Sequence, residues 1–408
     1  MGDVGWLEDA LRQCANRGCL KILLGLLNAP GIRVAQDACR PGERKLSGVK
    51  RTIHTLFGSG ELVRTWYKSP KGKGRFPLDE ALGLIDGHTP RLAGLICRAA
   101  ARAPFGQAAQ DFREYTGLDI CARRFHRLAL RVGTKVESFL RADQGRGKER
   151  PPRAYVLMDG TGAPLRKEEL EGRRGKAPDG KAGTHEVKVA ALFTQHPRPG
   201  EEPWRDLDST TYVATDQRCG DFGGMVRSEF HRRFGNAPEV LVLGDGAEWI
   251  NTIANNEFAG AVRIVDWHHA AEHVASMAEL IHPRHSPPWH QQRRKWTGKL
   301  WNGNIDALAR SVRRILPPGR IEQGEKALAY FLKNRKAMRY DEFRNQGYFI
   351  GSGVVEAACK TLVCQRFKAS GMHWSQKGLK NLLAIRTALL SRRYEDFWTW
   401  RATSKNAA

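Results

Sequence analysis

Three carboxylates stand out in this 408-residue chain for where they fall. Asp159 closes the apolar run Ala154-Tyr155-Val156-Leu157-Met158. Asp245 closes Val240-Leu241-Val242-Leu243-Gly244. Glu356 follows Gly351-Ser352-Gly353 at the start of a stretch with helical pattern. A carboxylate just past a buried strand lies at the mouth of an open α/β sheet, where ligands bind. Oxygen-only donors suit hard divalent cations. Three of them beside a nucleic acid would make a two-metal phosphodiester site, one ion activating the attacking water or 3′-hydroxyl and the other stabilising the leaving oxygen. Each residue also has a plainer reading. Asp159-Gly160 and Asp245-Gly246 are turn-forming pairs, and Glu356 can act as a capping-box residue reaching back to Gly353. Taken singly, the plain reading is the stronger; the order of first strand, later strand and distal helix favours the chemical one.

The elements that must position these groups can be read from periodicity. Strands fit Ala154–Met158, Glu186–Thr194, Thr210–Ala214, Glu239–Gly244 and Ala261–Val265, with helices at Asp221–Phe234 and Glu248–Asn255. That order predicts a mixed sheet covered by helices. From His268 to Gln346 the pattern is helical and carries Trp289, Trp296 and Trp301. Further helices fit Val354–Phe367 and Gln376–Arg392. The tryptophans, with Trp249, could stack on bases, but core packing is the favoured reading.

Arg141 to Pro152 is polar, basic and rich in Gly and Pro, as a linker is. Before it, helices fit Arg91–Ala103, Phe105–Tyr115 and Ile120–Val132, the last capped by Asp119. Thr116-Gly117 makes the turn between the second and third, giving a helix-turn-helix at about 105–132. Arg123, Arg124, Arg127 and Arg131 lie opposite Ile120, Phe125, Leu128 and Val132, which suits a helix in the DNA major groove; the plainer alternative is a solvated helix. Gly60 to Tyr67 alternates like a strand, Lys68 to Arg75 is a basic loop, and the first fifty-odd residues give no firm pattern. The expected division is a mainly helical DNA-binding region at 1–140, a linker at 141–152, the first part of a catalytic domain at 153–266, a helical insertion at 267–350 and C-terminal helices of the catalytic domain at 351–400.

Charge narrows the partner. Lys and Arg number 67 against 43 Asp and Glu, a formal net charge of +24, and such a surplus attracts polyanions, nucleic acid first. No apolar run reaches membrane-spanning length, and the N-terminal residues lack the basic start and apolar centre of a signal peptide. A cytoplasmic protein with no membrane partner is expected. The eight cysteines form no CxxC pair and read as reduced thiols, although Cys14, Cys19 and Cys39 could belong to a zinc knuckle. His269-Ala270-Ala271-Glu272-His273 spells the HxxEH pattern of one class of zinc hydrolase; with 13 histidines in the chain an accidental match is easy, and this reading ranks well behind.

Several longer motifs resemble those of the ISKra group of bacterial insertion-sequence transposases, within the DDE, Mutator-like class. They are VLMDGTGAPLR (Val156–Arg166), Arg173-Arg174-Gly175-Lys176 with Glu186-Val187-Lys188, VLGDGAEWI (Val242–Ile250), IVDWHHAAEH (Ile264–His273), GSGVVEAACK (Gly351–Lys360) and SGMHWS (Ser370–Ser375). Phe76-Pro77-Leu78-Asp79-Glu80 also matches, and the resemblance runs from about Gly60 to Trp398. It implies an α/β, ribonuclease-H-like mixed sheet with a helical insertion between the second Asp and the Glu. It implies that Asp159, Asp245 and Glu356 are the catalytic triad, binding Mg²⁺ or Mn²⁺ as two ions, and that Asp266 and His269 form a D-x-x-H element supporting the site. Double-stranded DNA is then the partner, met by Arg123, Arg124, Arg127, Arg131, Arg173, Arg174, Lys176 and Lys188, with Lys167 and Lys181 on the same path; a solvated loop is the alternative for those after Asp159. Pairing of two element ends implies a homo-oligomer. Many relatives carry a CxxC-like zinc element before the segment matching Phe76, and here Lys68 to Arg75 has no cysteine. The reading that follows is a transposase that cleaves and joins DNA strands at element ends. Its rival is a retired transposase kept as a DNA-binding regulator.

Overall fold

The computed structural model describes residues 4–34, 39–70, 72, 74–142, 147, 150–170, 183–196 and 203–406. The chain divides into two compact units. One comprises Met1–Leu140, Ala384–Leu389 and Arg393–Ala408; the other comprises Arg141–Leu383 and Leu390–Arg392.

The first unit opens with helices α1 (Val4–Leu27) and α2 (Pro30–Val34) and an antiparallel sheet of β1 (Arg44–Thr55), β2 (Gly58–Lys68) and β3 (Gly74–Arg75). Helices α3 (Pro77–Ala81), α4 (Pro90–Arg102), α5 (Phe105–Thr116) and α6 (Ala122–Arg141) follow. Helices hold most of the described residues of this region, with the three-stranded sheet set among them. β1 is the strand that periodicity misses: only Ile53 and Thr55 of its twelve residues are buried, so its apolar signal is too thin to register.

α5 stops at Gly117, whose φ of 72° is the left-handed conformation glycine adopts freely. α6 starts at Ala122, so Asp119 is not its cap, and it continues beyond Val132. Phe125, Leu128, Val132, Val136 and Phe139 make one buried stripe along its full length. The opposite, basic face is largely engaged. Arg127 and Arg131 both pair with Asp86, and the Arg124 guanidinium meets His54 Nε2 at 2.5 Å. Of the four arginines assigned to a DNA groove, Arg123 alone is exposed without such a tie. The two helices are present, but a DNA-reading helix-turn-helix is not established by them.

The second unit is built on a mixed sheet of six strands: β4 (Arg153–Pro164), β5 (Thr184–His196), β6 (Trp204–Arg205), β7 (Thr211–Thr215), β8 (Glu239–Gly244) and β9 (Val262–Val265). β5 runs antiparallel to β4 and carries β6 and β7 on its outer edge. β8 and β9 continue parallel to β4 on the other side. The helices are α7 (Cys219–Phe234), α8 (Glu248–Glu257), α9 (Trp267–Glu279), α10 (Pro287–Trp301), α11 (Ile305–Ile315), α12 (Ile321–Asn334), α13 (Tyr340–Asn345), α14 (Gly353–Ala358) and α15 (Gln365–Phe367). A π-helical turn, Cys359–Cys364, joins the last two. The expected single helix at Val354–Phe367 thus carries a π segment, a feature common at functional sites.

Ala154 to Met158 are buried on both sides, as a central strand requires. Val156, Met158, Ala190, Leu192 and Val242 face Phe222, Val226 and Phe230 of α7 and Ile250 and Ile253 of α8. On the other face Tyr155 stacks on Phe193 at 5.0 Å, and Phe349 meets both rings edge-on at 5.3 and 5.5 Å. The remaining helices are α16 (Gln376–Leu390) and α17 (Tyr394–Asn406). The sequence places 351–400 with the sheet, whereas Ala384–Leu389 and the α17 segment group with the first unit.

Candidate active site

Strand register brings the two aspartates together. β4 and β8 are parallel, with Tyr155 opposite Leu241 and Leu157 opposite Leu243. Two residues further on, at the same ends of these strands, come Asp159 and Asp245. Neighbouring strands lie about 4.8 Å apart. Alternation sends Val156, Met158 and Val242 toward α7 and α8. Asp159 and Asp245 have the opposite parity, so they point to the face on which α14 packs against β4 and β5. α14 carries Glu356. One turn later, the Cys359 thiol donates to Asp159 Oδ2 at 3.5 Å.

Asp159 feels the charges of the other two carboxylates. Burial raises the Asp159 pKa above the ordinary carboxylate value, and the nearby charges of Asp245 and Glu356 raise it further; the Gly160 N–H and the Cys359 thiol pull the other way. Each acid is nevertheless turned to a donor of its own. Asp159 Oδ1 accepts from Gly160 N at 2.7 Å, Asp245 Oδ1 from Ala247 N at 2.8 Å, and Glu356 Oε1 from the Ser352 hydroxyl at 3.0 Å. Among the described residues no three His, Cys, Asp or Glu side chains form a ready-made metal cage. Each of these hydrogen bonds engages one oxygen of its carboxylate and leaves further lone pairs for another partner. The donor chemistry, oxygen only with unrelieved like charge, fits a hard divalent cation.

Asp266 is 2% exposed and caps α9. Its Oδ1 accepts from His269 N at 2.6 Å, and its Oδ2 from Ser352 N. Its own N–H reaches Gly244 O at 2.8 Å. It thereby ties the end of β8, the start of α9 and the loop ahead of Glu356, and both oxygens are occupied. His269 and His273 hold their Nε2 atoms 3.2 Å apart. His273 also lies flat on Tyr330, with ring centroids 4.1 Å apart, and the Tyr330 hydroxyl donates to Asp245 O at 2.9 Å. Burial lowers the His273 pKa, and His269 lowers it further against the opposing charges of Glu272 and Asp245. A catalytic zinc takes three protein ligands, and the described residues offer no such group at HxxEH or at Cys14, Cys19 and Cys39.

The basic residues read differently from one another. Lys188 is 9% exposed and its ammonium pairs with the exposed Glu186 at 2.6 Å. Lys167 is exposed. Arg173, Arg174, Lys176 and Lys181 lie outside the described residues. Trp289 and Trp296 are core residues, Trp249 packs against the α7 and α8 core, and Arg344 covers the Trp301 ring at 3.9 Å. Sequence reading missed Ser352, Cys359 and Tyr330. The first two stand one helical turn from Glu356, a spacing that could have marked them; Tyr330, on α12, carries no such signal.

No family model and no curated protein matches the chain. Among solved structures it is similar to "Drosophila P element transposase strand transfer complex", with 7% identity over 74% of this chain and 80% of that chain and a TM-score of 0.27. A likeness at that score carries no argument about fold or mechanism. Among the described residues, no helix is long and apolar enough to cross a membrane.

Proposed function

We propose that this chain is a DNA transposase of the insertion-sequence type, acting through Asp159, Asp245 and Glu356. The observation that carries this reading is the β4–β8 register, which sets Asp159 beside Asp245 on one face of the sheet, with the Glu356 helix packed against that face. The mixed sheet is compatible with a ribonuclease-H-like fold, and the ISKra-type motifs supply the finer family assignment.

Mg²⁺ or Mn²⁺, held by these three acids as one or two ions, would supply a nucleophilic oxygen and charge stabilisation at the leaving oxygen. The residues of the chain do the rest. Gly160, Ala247 and Ser352 hold the free carboxylates in place through the hydrogen bonds described above. Asp266 fixes the loop ahead of Glu356, and Tyr330 braces the backbone of Asp245. The net charge of +24 draws DNA to the surface. Double-stranded DNA is the partner in this reading, and pairing of two ends makes a homo-oligomer the working form.

The test is metal-dependent nicking and strand joining on DNA carrying the sequences that flank the reading frame. Cleavage should require Mg²⁺ or Mn²⁺ and disappear in Asp159→Asn, with DNA binding retained. Binding without cleavage in the parent protein would leave the regulator reading, and undiminished cleavage by the variant would remove Asp159 from the mechanism.

A further inference from the structure

The first unit holds a cavity of about 440 Å³, within the range of small-ligand sites. It involves none of the three acids. Its walls combine flat rings with guanidinium groups. Tyr394 is buried and fixed by donation from its hydroxyl to Gly94 O at 2.7 Å. The Arg98 guanidinium lies 5.1 Å from the Tyr394 ring centroid and pairs with Glu395. Trp398 packs so close to α4 that a Cβ on Gly94 would sit 3.2 Å from its indole. Arg401 lies 5.7 Å from the Trp398 ring and donates to Gly83 O at 3.0 Å. Arg91 stands exposed beside them.

The charges do not balance. Glu395 answers Arg98, but among the described residues Arg401 meets no carboxylate. Burial alone lowers its pKa. A half-buried guanidinium without a counter-charge is costly, and an anion in the cavity would relieve it. Inorganic phosphate would leave the ring-lined wall unused. A ligand with both a flat π-face and a phosphate uses the rings and the guanidinium groups together, because bases stack on aromatic rings and on guanidinium planes and phosphate accepts charge-assisted hydrogen bonds from Arg.

We propose that this cavity binds a single nucleotide, its base against Trp398 and the Arg98 plane and its phosphate at Arg401 and Arg91. The nucleotide can be free or the 5′-terminal residue of a DNA strand; the chemistry is shared, and competition tells them apart.

The experiment is titration calorimetry on the full chain with dAMP, 2-deoxyribose 5-phosphate and inorganic phosphate. dAMP should bind at least about tenfold tighter than the sugar phosphate, and Arg401→Gln and Arg91→Gln should each weaken it by about tenfold. Arg91 is exposed, so its variant keeps the fold and remains informative even if Arg401→Gln does not fold. Asp159→Asn should bind dAMP like the parent, whether or not the parent cleaves DNA, so the outcome stands apart from the enzyme reading. Displacement of dAMP by a short 5′-phosphorylated strand, but not by its 5′-hydroxyl counterpart, assigns the site to strand ends; failure of both strands to displace it assigns the site to free nucleotide. Equal affinity for dAMP and the sugar phosphate, or parent-like binding by Arg91→Gln, overturns the proposal.

Discussion

Asp159→Asn should make the protein more stable at neutral pH while removing its proposed chemistry. Asp159 and Asp245 follow adjacent parallel strands in register, whose backbones lie about 5 Å apart, and the Asp245 charge raises the Asp159 pKa. Two like charges at that distance repel by about 3 kcal/mol at an effective dielectric of about 20. Asp159 is only part-buried, and solvent and salt reduce the figure to about 1 kcal/mol. Asn keeps an acceptor for the Gly160 N–H, which now donates at 2.7 Å, and deletes the charge. The sign follows from linkage. A carboxylate whose folded pKa is raised opposes folding in its ionised form, so the penalty is absent below the unfolded value, grows as pH rises from there toward the folded value, and is complete above it. The variant should therefore melt about 2–4 °C above the parent near pH 7, and the gap should close near pH 4, the ordinary carboxylate range. Mg²⁺ should raise the parent's melting temperature more than the variant's, because a bound cation relieves the same repulsion. Scanning calorimetry with and without Mg²⁺ measures both effects. A variant that melts at or below the parent at neutral pH would refute the claim that these acids crowd one another.

Tyr330→Phe removes the hydroxyl that donates to Asp245 O at 2.9 Å; it should cost about 1 kcal/mol in chemical denaturation and lower cleavage more than DNA affinity. In the first unit, burial, helped by His88 and Arg124 against the opposing charge of Asp86, holds the His54 pKa down at about 4 from 6.5. Its folded value is below its unfolded one, so stability is full above about pH 6.5 and falls as the pH drops toward 4, by about 1–2 kcal/mol after allowance for partial exposure. His54→Gln should flatten that decline in a pH series of urea melts. Arg123→Ala should weaken DNA binding in low salt with little change in melting temperature. Arg127→Ala, which breaks the pair with Asp86, should instead lose about 0.5 kcal/mol of stability and change affinity less; a larger affinity loss for Arg127 would restore the DNA-groove reading of α6.

What could be read from the sequence, and what could not, divides along a physical line. β4 and β8 were legible because Ala154–Met158 and Val240–Leu243 are unbroken apolar runs, and only strands covered on both faces need such runs. Their carboxylates were legible as neighbours in kind but not in geometry. That Asp159 Oδ1 accepts from the Gly160 N–H is a matter of side-chain rotamer, and no spacing rule encodes it. α6 shows the same limit at larger scale. Its two-faced pattern was correct, yet the partner of Arg127 and Arg131 is Asp86, a non-glycine residue at φ 52° in a distant turn. A basic helical face looks the same in sequence whether it awaits phosphate or already holds a carboxylate from elsewhere in the fold. The site depends on this kind of long-range tie as well. Asp266 fixes the loop ahead of Glu356 through Ser352 N, and Tyr330 reaches Asp245 from α12. The acids declare the chemistry, and residues with no chemical signature of their own decide whether the acids can meet.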